Sequence, residues 1–504
     1  SWTFRKAPRF FDVVTYTGIS GVQTLAHNLG VAPGMIICKK TNNTGNWIVY
    51  HKSLGNTKGI LLDDTQAAGN FSFWDNTDPT STEFTLAWES NVNSLGNEYV
   101  AYLFADDPLG ANGDDGMIAC GSYVGNGLAD GPEINLGWEP QYVLQKASGK
   151  SANWYIVDNM RGISTGSIDN MLMPNTSGVT YSAERLALTA TGFQVTTTNG
   201  NWNASGETYI YMAIRRPMKT PEVGTEVFAV SAGPSSATHV ITGFPIDTQF
   251  WKFVTGTDGI SMYDRLRGVS TTLTESGVNL VTSSTSAEAS EMYSKNWDNT
   301  GFNPMGAYAN IATFFWSFRR AKGFFDVVAY TGDGVAGRTV AHNLGVVPEM
   351  IWVKCRSQNR GWMVYDSGLT TPASDYMQLH VSDSVASIAT IWNNTNPTNS
   401  VFTLGTYGEV NSSGNTFISY LFASVDGVSK VGSYTGNGTN QTIDCGFSAG
   451  ARFILIKRTD STGDWFFWDS VRGIVAGNDP HLSLNTTAAE VTTDDSVDPD
   501  SSGF

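Results

Sequence analysis

The strongest constraint on this 504-residue chain is that it repeats itself. Phe10-Phe11-Asp12-Val13-Val14 returns as Phe324-Phe325-Asp326-Val327-Val328, an offset of 314, and Trp2-Thr3-Phe4-Arg5 matches Trp316-Ser317-Phe318-Arg319 in the same register. A shorter period lies inside the long one. A lysine that ends an apolar run is followed eight positions later by a tryptophan at Lys39 and Trp47, Lys146 and Trp154, Lys354 and Trp362, and Lys457 and Trp465. Four residues past each tryptophan stands His51, Asp158, Asp366 or Asp469. A weaker copy, Phe250-Trp251-Lys252-Phe253 followed by Met262-Tyr263-Asp264, lacks the tryptophan. A fixed period means one supersecondary unit used many times.

The period predicts five modules: 10–116, 117–224, a divergent 225–323, 324–428 as a repeat of the first, and 429–504 as a shortened repeat of the second. Residues 1–9 match 315–323, so they read as the last strand of a preceding module. The fifth module stops where the second goes on to one more strand. The expectation is a window on a longer protein, with a further module on each side; strand exchange between chains is the alternative. The linker falls at Arg216-Pro217-Met218-Lys219-Thr220-Pro221.

Within each module the apolar runs are short, rich in β-branched and aromatic residues, and bounded by Gly, Pro or Asn, which predicts strands rather than helices. Met35-Ile36-Ile37-Cys38 and Phe453-Ile454-Leu455-Ile456 are examples. Thr41–Asn46 and Thr459–Asp464 read as hairpin turns, with Gly45 and Gly463 free to take a positive φ. The return strands, such as Trp465-Phe466-Phe467-Trp468, are apolar on both faces, so they lie inside a sandwich or under a neighbouring module. Closing strands are expected at 98–104, 208–214, 310–315 and 416–422, and a weak helix at 284–294. The fold class is all-β: tandem β-sandwich, jelly-roll-like modules of about 100 residues in series, each large enough for its own core.

Composition excludes several functions. A net charge of −16 repels a phosphate backbone, so nucleic acid is not an expected partner. No apolar run is long enough for a membrane-spanning helix, and residues 1–10 lack the apolar stretch of a signal peptide. Four cysteines, Cys38, Cys120, Cys355 and Cys445, have no metal-ligand spacing and read as buried thiols.

Each candidate site has a structural reading beside it. His27, His342 and His239 stand six residues before a proline, but the second and fifth modules carry Ile134 and Ile443 there, which favours packing over acid–base chemistry. Asp158-x-x-Arg161-Gly162, Asp264-x-x-Arg267-Gly268 and Asp469-x-x-Arg472-Gly473 suit either a polar ligand or an exposed ion pair at a strand end. Trp74, Trp297 and Trp392 each open a Trp-Asx-Asn-Thr segment, suited to stacking on a sugar but more simply a core tryptophan before a turn. Trp202, flanked by Asn201 and Asn203 in a polar turn, is the best candidate for an exposed glycan contact. Ser164 and Ser448 lie in Gly-x-Ser-x-Gly without the strand–helix context of a nucleophile elbow. The Asp63-Asp64, Asp106-Asp107, Asp114-Asp115 and Asp494–Asp500 clusters offer oxygen ligands for Ca²⁺ but lack an EF-hand pattern. No catalytic residue, resident cofactor or other metal is expected.

The string Phe11-Asp12-Val13-Val14-x-Tyr16-Thr17-Gly18, then Ala26-His27-Asn28-Leu29-Gly30-Val31-x-Pro33 and Gly45-Asn46-Trp47-Ile48-Val49-Tyr50-His51, resembles a repeat of large structural, tail-fibre-like proteins of tailed bacteriophages, above all those of cyanobacterial and marine hosts. The match is strongest at 11–51 and 325–366, looser at 121–158 and 432–469, and weak in the third module. The resemblance implies a structural, non-enzymatic virion protein. It would belong to an external fibre, whisker or tail appendage, be assembled in the host cytoplasm beside other virion proteins, and have a role in host attachment. It implies a homo-oligomer, by fibre habit a trimer, and a host-surface glycan or receptor as partner. The alternatives are a carbohydrate-binding cell-surface adhesin and a polysaccharide depolymerase.

Overall fold

The computed structural model describes all residues except 114, 167, 235–237, 270–276, 292–293 and 305–311. The expected Asp114 ligand and the start of the closing strand at Asn310 therefore lie outside the described residues. The chain divides into two units, Ser1–Arg216 and Pro217–Phe504, which meet at the expected linker.

The first module defines the bead. Its strands Phe11–Thr17, Glu98–Ala105, Pro33–Lys40, Ile48–His51, Lys58–Leu61 and Gly69–Asn70 lie in that order in one antiparallel sheet, and Gln23–Ala26 pairs with Glu83–Leu86 in a second. The same six-stranded order returns in the second, third and fourth modules, each with a small sheet of two or three strands. First paired with last and second with next-to-last is the jelly-roll scheme. The third to sixth strands depart from it. Short hairpins keep each beside its predecessor, so they stay in one sheet instead of alternating between two.

Closing strands run Glu98–Ala105, Thr208–Arg215, Thr313–Phe318 and Thr416–Phe422. The fifth module has a three-stranded sheet, Phe453–Lys457, Trp465–Asp469 and Leu482–Ser483; among the described residues no closing strand pairs with the outer edge of Phe453–Lys457. Residues 1–6 form no ladder, and a bridge between Ala7 and Phe11 is their nearest pairing. Trp2 and Phe4 instead pack on Tyr142, Phe11 and Phe104. The stretch expected to be weakly helical holds the short strands Ala289–Ser290 and Ser294–Lys295.

The central strands are buried on both faces. Every residue of Trp154–Asp158 is buried, as is every residue of Ile48–His51. One core joins the two sheets of the first module, through Phe84, Leu86 and Trp74, to Tyr142, Leu144 and Trp154 of the second. A strand with apolar side chains of both parities is stable only when both faces are covered, and the neighbouring bead supplies the second cover. The hairpin glycines act differently from expectation. Gly45 and Gly463 are not at positive φ; instead, their carbonyls accept from Lys39 Nζ and Lys457 Nζ.

Candidate functional site

The lysine and tryptophan of the repeat converge on the joint between beads. In the first unit, Lys146 Nζ donates to Thr65 O at 3.0 Å and Ala152 O at 2.6 Å, and Trp154 Nε1 donates to Leu61 O at 2.7 Å. Thr65 and Leu61 belong to the preceding bead. The second unit repeats this. Lys354 and Trp362 of the fourth module reach Thr285 O (3.0 Å) and Val281 O (3.1 Å) of the third. Lys457 and Trp465 of the fifth reach Ser382 O (3.1 Å) and Gln378 O (2.9 Å) of the fourth. Trp154, Trp362 and Trp465 are at most 1% exposed. Burial holds Lys146 and Lys354 down to about 8 and pushes Lys457 down as well. Each ammonium is enclosed by backbone carbonyls, and a neighbouring module provides at least one of them.

The third module closes the circle. Lys252 Nζ faces Thr487 O of the fifth module at 3.5 Å, and Thr282 Oγ1 donates to Leu484 O at 2.6 Å. One backbone bond marks all three joints. Glu288 N donates to Arg356 O (2.9 Å), Val385 N to Thr459 O (3.0 Å) and Glu490 N to Val254 O (2.7 Å). Each acceptor stands two residues after the joint lysine, and each donor three residues after the carbonyl that the lysine approaches. In the first unit the same bond is Ala68 N to Ser148 O, 2.8 Å. Head-to-tail contacts whose rotation closes make a ring, and here modules three, four and five make one within a single polypeptide.

The position four residues past the tryptophan sits at the same joints. Asp158, Asp264 and Asp469 each bind the arginine three residues on, and their Oδ2 atoms also accept from another part of the chain: Trp2 Nε1 (3.2 Å), Tyr420 OH (2.7 Å) and Trp316 Nε1 (3.0 Å). The expectation of exposed ion pairs is corrected here. Asp264 and Arg267 have no exposed side-chain surface, and Arg472 retains 2%, because a second bead covers the strand end. Asp366 has no arginine three residues on, and burial raises its pKa. His51 takes the place in the first module. Its Nδ1 accepts from Ser53 N and its Nε2 faces Tyr211 O of the second module at 3.0 Å. Burial lowers it to about 4 and keeps it a neutral donor.

The other candidates are held by structure. Trp202, expected to be exposed, is 1% exposed and packs tilted against Tyr155, ring centroids 5.2 Å apart. It lies on the short helix Gly200–Asn203, which seats it in the core and denies it to a ligand. Asn201 donates to Tyr155 OH, and Asn203, fully buried, ties Asn126 N, Leu128 O and Thr197 O. Trp74, Trp297 and Trp392 are core residues with indole N–H groups bound to Lys58 O, Ser294 Oγ and Asp375 O. Asp75, Asn76, Asn393 and Asn394 beyond them take left-handed φ of 50–55°, which Asx residues tolerate best after glycine. His27 and His342 each accept the amide two residues on and face Thr80 O and Thr398 O, and burial lowers both. Ser164 is buried and Ser448 exposed, each between glycines at positive φ. Cys38, Cys120 and Cys355 are buried, whereas Cys445 is only half-buried. Asp63, Asp64, Asp106, Asp107 and Asp115 bind turn amides or nearby lysine and arginine. Among the described residues no three His, Cys, Asp or Glu side chains gather as a metal site.

These joints lie mostly within residues 7–217 and 271–504, which match the model of a domain of unknown function, DUF7483. The chain belongs to the DUF7483 family. No curated protein sequence matches it.

The DUF7483 bead also carries a feature that single residues did not announce. Buried asparagines Asn93, Asn203 and Asn411 each clamp two loops at one end of a bead: Asn93 takes Ile19 N and gives to Gly21 O, and Asn411 takes Asp333 N and gives to Val335 O. The clamp commits the polar atoms inward and leaves apolar side chains on the loops outside. In the first module Trp88 is 69% exposed, Leu95 66%, Val22 51% and Ile19 40%; in the second and fourth, exposed Leu128 and Val335 stand where the first has Gly21. One exposed apolar residue is ordinary; here four stand on one pair of tied loops. The available sequence signal was the recurring asparagine, visible only once the beads are superimposed.

Proposed function

We propose that this DUF7483 chain is a structural component of a tailed-bacteriophage virion, part of an external fibre, whisker or tail appendage, and that its bead ends touch the host surface. The supporting observation is the repeated joint. A lysine and one backbone bond link bead to bead in the same way four times, with a tryptophan at three of those joints, which suits a spacer built by repetition. The three-bead ring gives one polypeptide the threefold character that fibres otherwise gain from three chains. Trp88, with Leu95 and Val22 beside it on the clamped loops, is the contact residue in this reading, its ring face suited to the C–H face of a sugar.

Gold-labelled antibody against the chain, applied to purified particles and imaged in negative stain, tests the placement. Label along a thin appendage supports it, and label confined to the host cell surface overturns it. Trp88→Ala tests the contact. Adsorption to host cells should fall while the melting midpoint stays within a degree of the parent; unchanged adsorption removes Trp88 from the reading.

A further inference from the structure

The ring in Pro217–Phe504 is a template for the open pair of beads in Ser1–Arg216. We propose that the first unit docks one further bead of this same repeat, which completes a second three-bead ring.

Two faces of the first unit carry unfinished joints. On the first module, Lys39 lies over the Trp47 ring at 5.6 Å, and Trp47 stacks on Tyr102 at 6.3 Å. The fourth module holds the same trio, with Trp362 on Tyr420 at 6.2 Å, and uses it to bind Thr285 O, Val281 O and Asp264 of the third. Trp362 is sealed, whereas Trp47 is half-exposed and Lys39 reaches only its own turn. On the second module, the stretch that accepts a neighbour in the first, third, fourth and fifth beads is 173–180. Here Val179 is 89% exposed and the Thr180 amide, which corresponds to Ala68, Glu288, Val385 and Glu490, lies on an exposed residue.

Residues 1–6 support the same occupant. Trp2 Nε1 binds Asp158 Oδ2 as Trp316 Nε1, on the closing strand of the third module, binds Asp469 Oδ2. They therefore lie against the second module where the closing strand of an added bead belongs. The partner must present two hairpin carbonyls and a carboxylate to Lys39, Trp47 and Tyr102, and a lysine to the 173–180 stretch. A bead of this repeat carries that whole set.

The test uses the full chain, alone and with residues 217–314 of the third module fused ahead of Ser1, so that Trp2 follows in the register of Trp316. In the unfused chain the Thr180 amide should exchange freely and Trp47→Ala should leave the melting midpoint of the first unit nearly unchanged. In the fusion, Thr180 exchange should slow by about tenfold or more, as for a bond that opens only with its surroundings, and Trp47→Ala should lower the midpoint by several degrees. A second fusion, residues 324–418 ahead of Ser1, keeps the result independent of how one added bead folds. The proposal is overturned if Thr180 is already as protected as Ala68 in the unfused chain. It is also overturned if both fusions leave Thr180 and the Trp47→Ala effect unchanged, or if the unfused chain sediments as a dimer that seals Trp47.

Discussion

The two units use the same bead and the same joint, yet three beads in Pro217–Phe504 close a circle while two in Ser1–Arg216 leave it open. A bead with both joints made has its tryptophan and lysine enclosed on one side and its hairpin carbonyls occupied on the other. A bead at an open end exposes the same groups. Trp362 and Trp47 stand at equivalent positions and differ only in whether another bead covers them. Closure, not composition, decides which residues of this repeat count as core.

Breaking the ring should cost most. Arg472→Ala leaves Asp469 buried and unpaired beneath Trp316, and should destabilise the second unit by about 3–5 kcal/mol, read from denaturant unfolding followed by hydrogen exchange. Trp362→Ala empties a joint and should cost a similar ~3–5 kcal/mol. Trp47→Ala, at the open end, should cost under about 1 kcal/mol by the same measurement; equal losses at Trp47 and Trp362 would erase the distinction between the units.

Acid should separate the units next. The folded pKa of His51 is lowered to about 4, below the usual value near 6.5. Its contribution is complete above about pH 6.5 and is lost as pH falls toward 4, because the unfolded chain takes up the proton first. Comparing the parent with His51→Gln isolates the effect. The parent should lose about 3 kcal/mol more than the variant across that window, and parallel curves would refute it.

A further expected effect is alkaline. Lys354, held at about 8, disfavours its proton in the fold. The parent should therefore gain stability relative to Lys354→Met as pH rises from 8 toward the unfolded value near 10.5. A difference that is flat across this range would mean that the carbonyl cage compensates for burial.

The sequence was most legible where a local rule and the repeat agreed. Runs such as Met35–Cys38 became strands, and the histidine–isoleucine exchange at 27 and 134 marked a packing position. It misled where polarity nearby stood in for exposure. Trp202 sits among asparagines, yet those asparagines point inward as clamps and the indole is core. The Asp-x-x-Arg pairs looked like strand-end ion pairs because the bead that buries them is remote in sequence: Trp316 lies 153 positions from Asp469.

The amino-acid sequence by itself determined the all-β bead, its strands and the residues that recur in its copies. Those follow from short-range periodicity and turn chemistry, which need no knowledge of what lies opposite. Only the tertiary structure decided that three beads form a ring, that Lys354 and Trp362 serve a neighbour rather than their own module, and that Trp88 rather than Trp202 meets solvent. Each of these depends on which surface covers which, and burial is a property of pairs of surfaces that no single stretch of chain encodes.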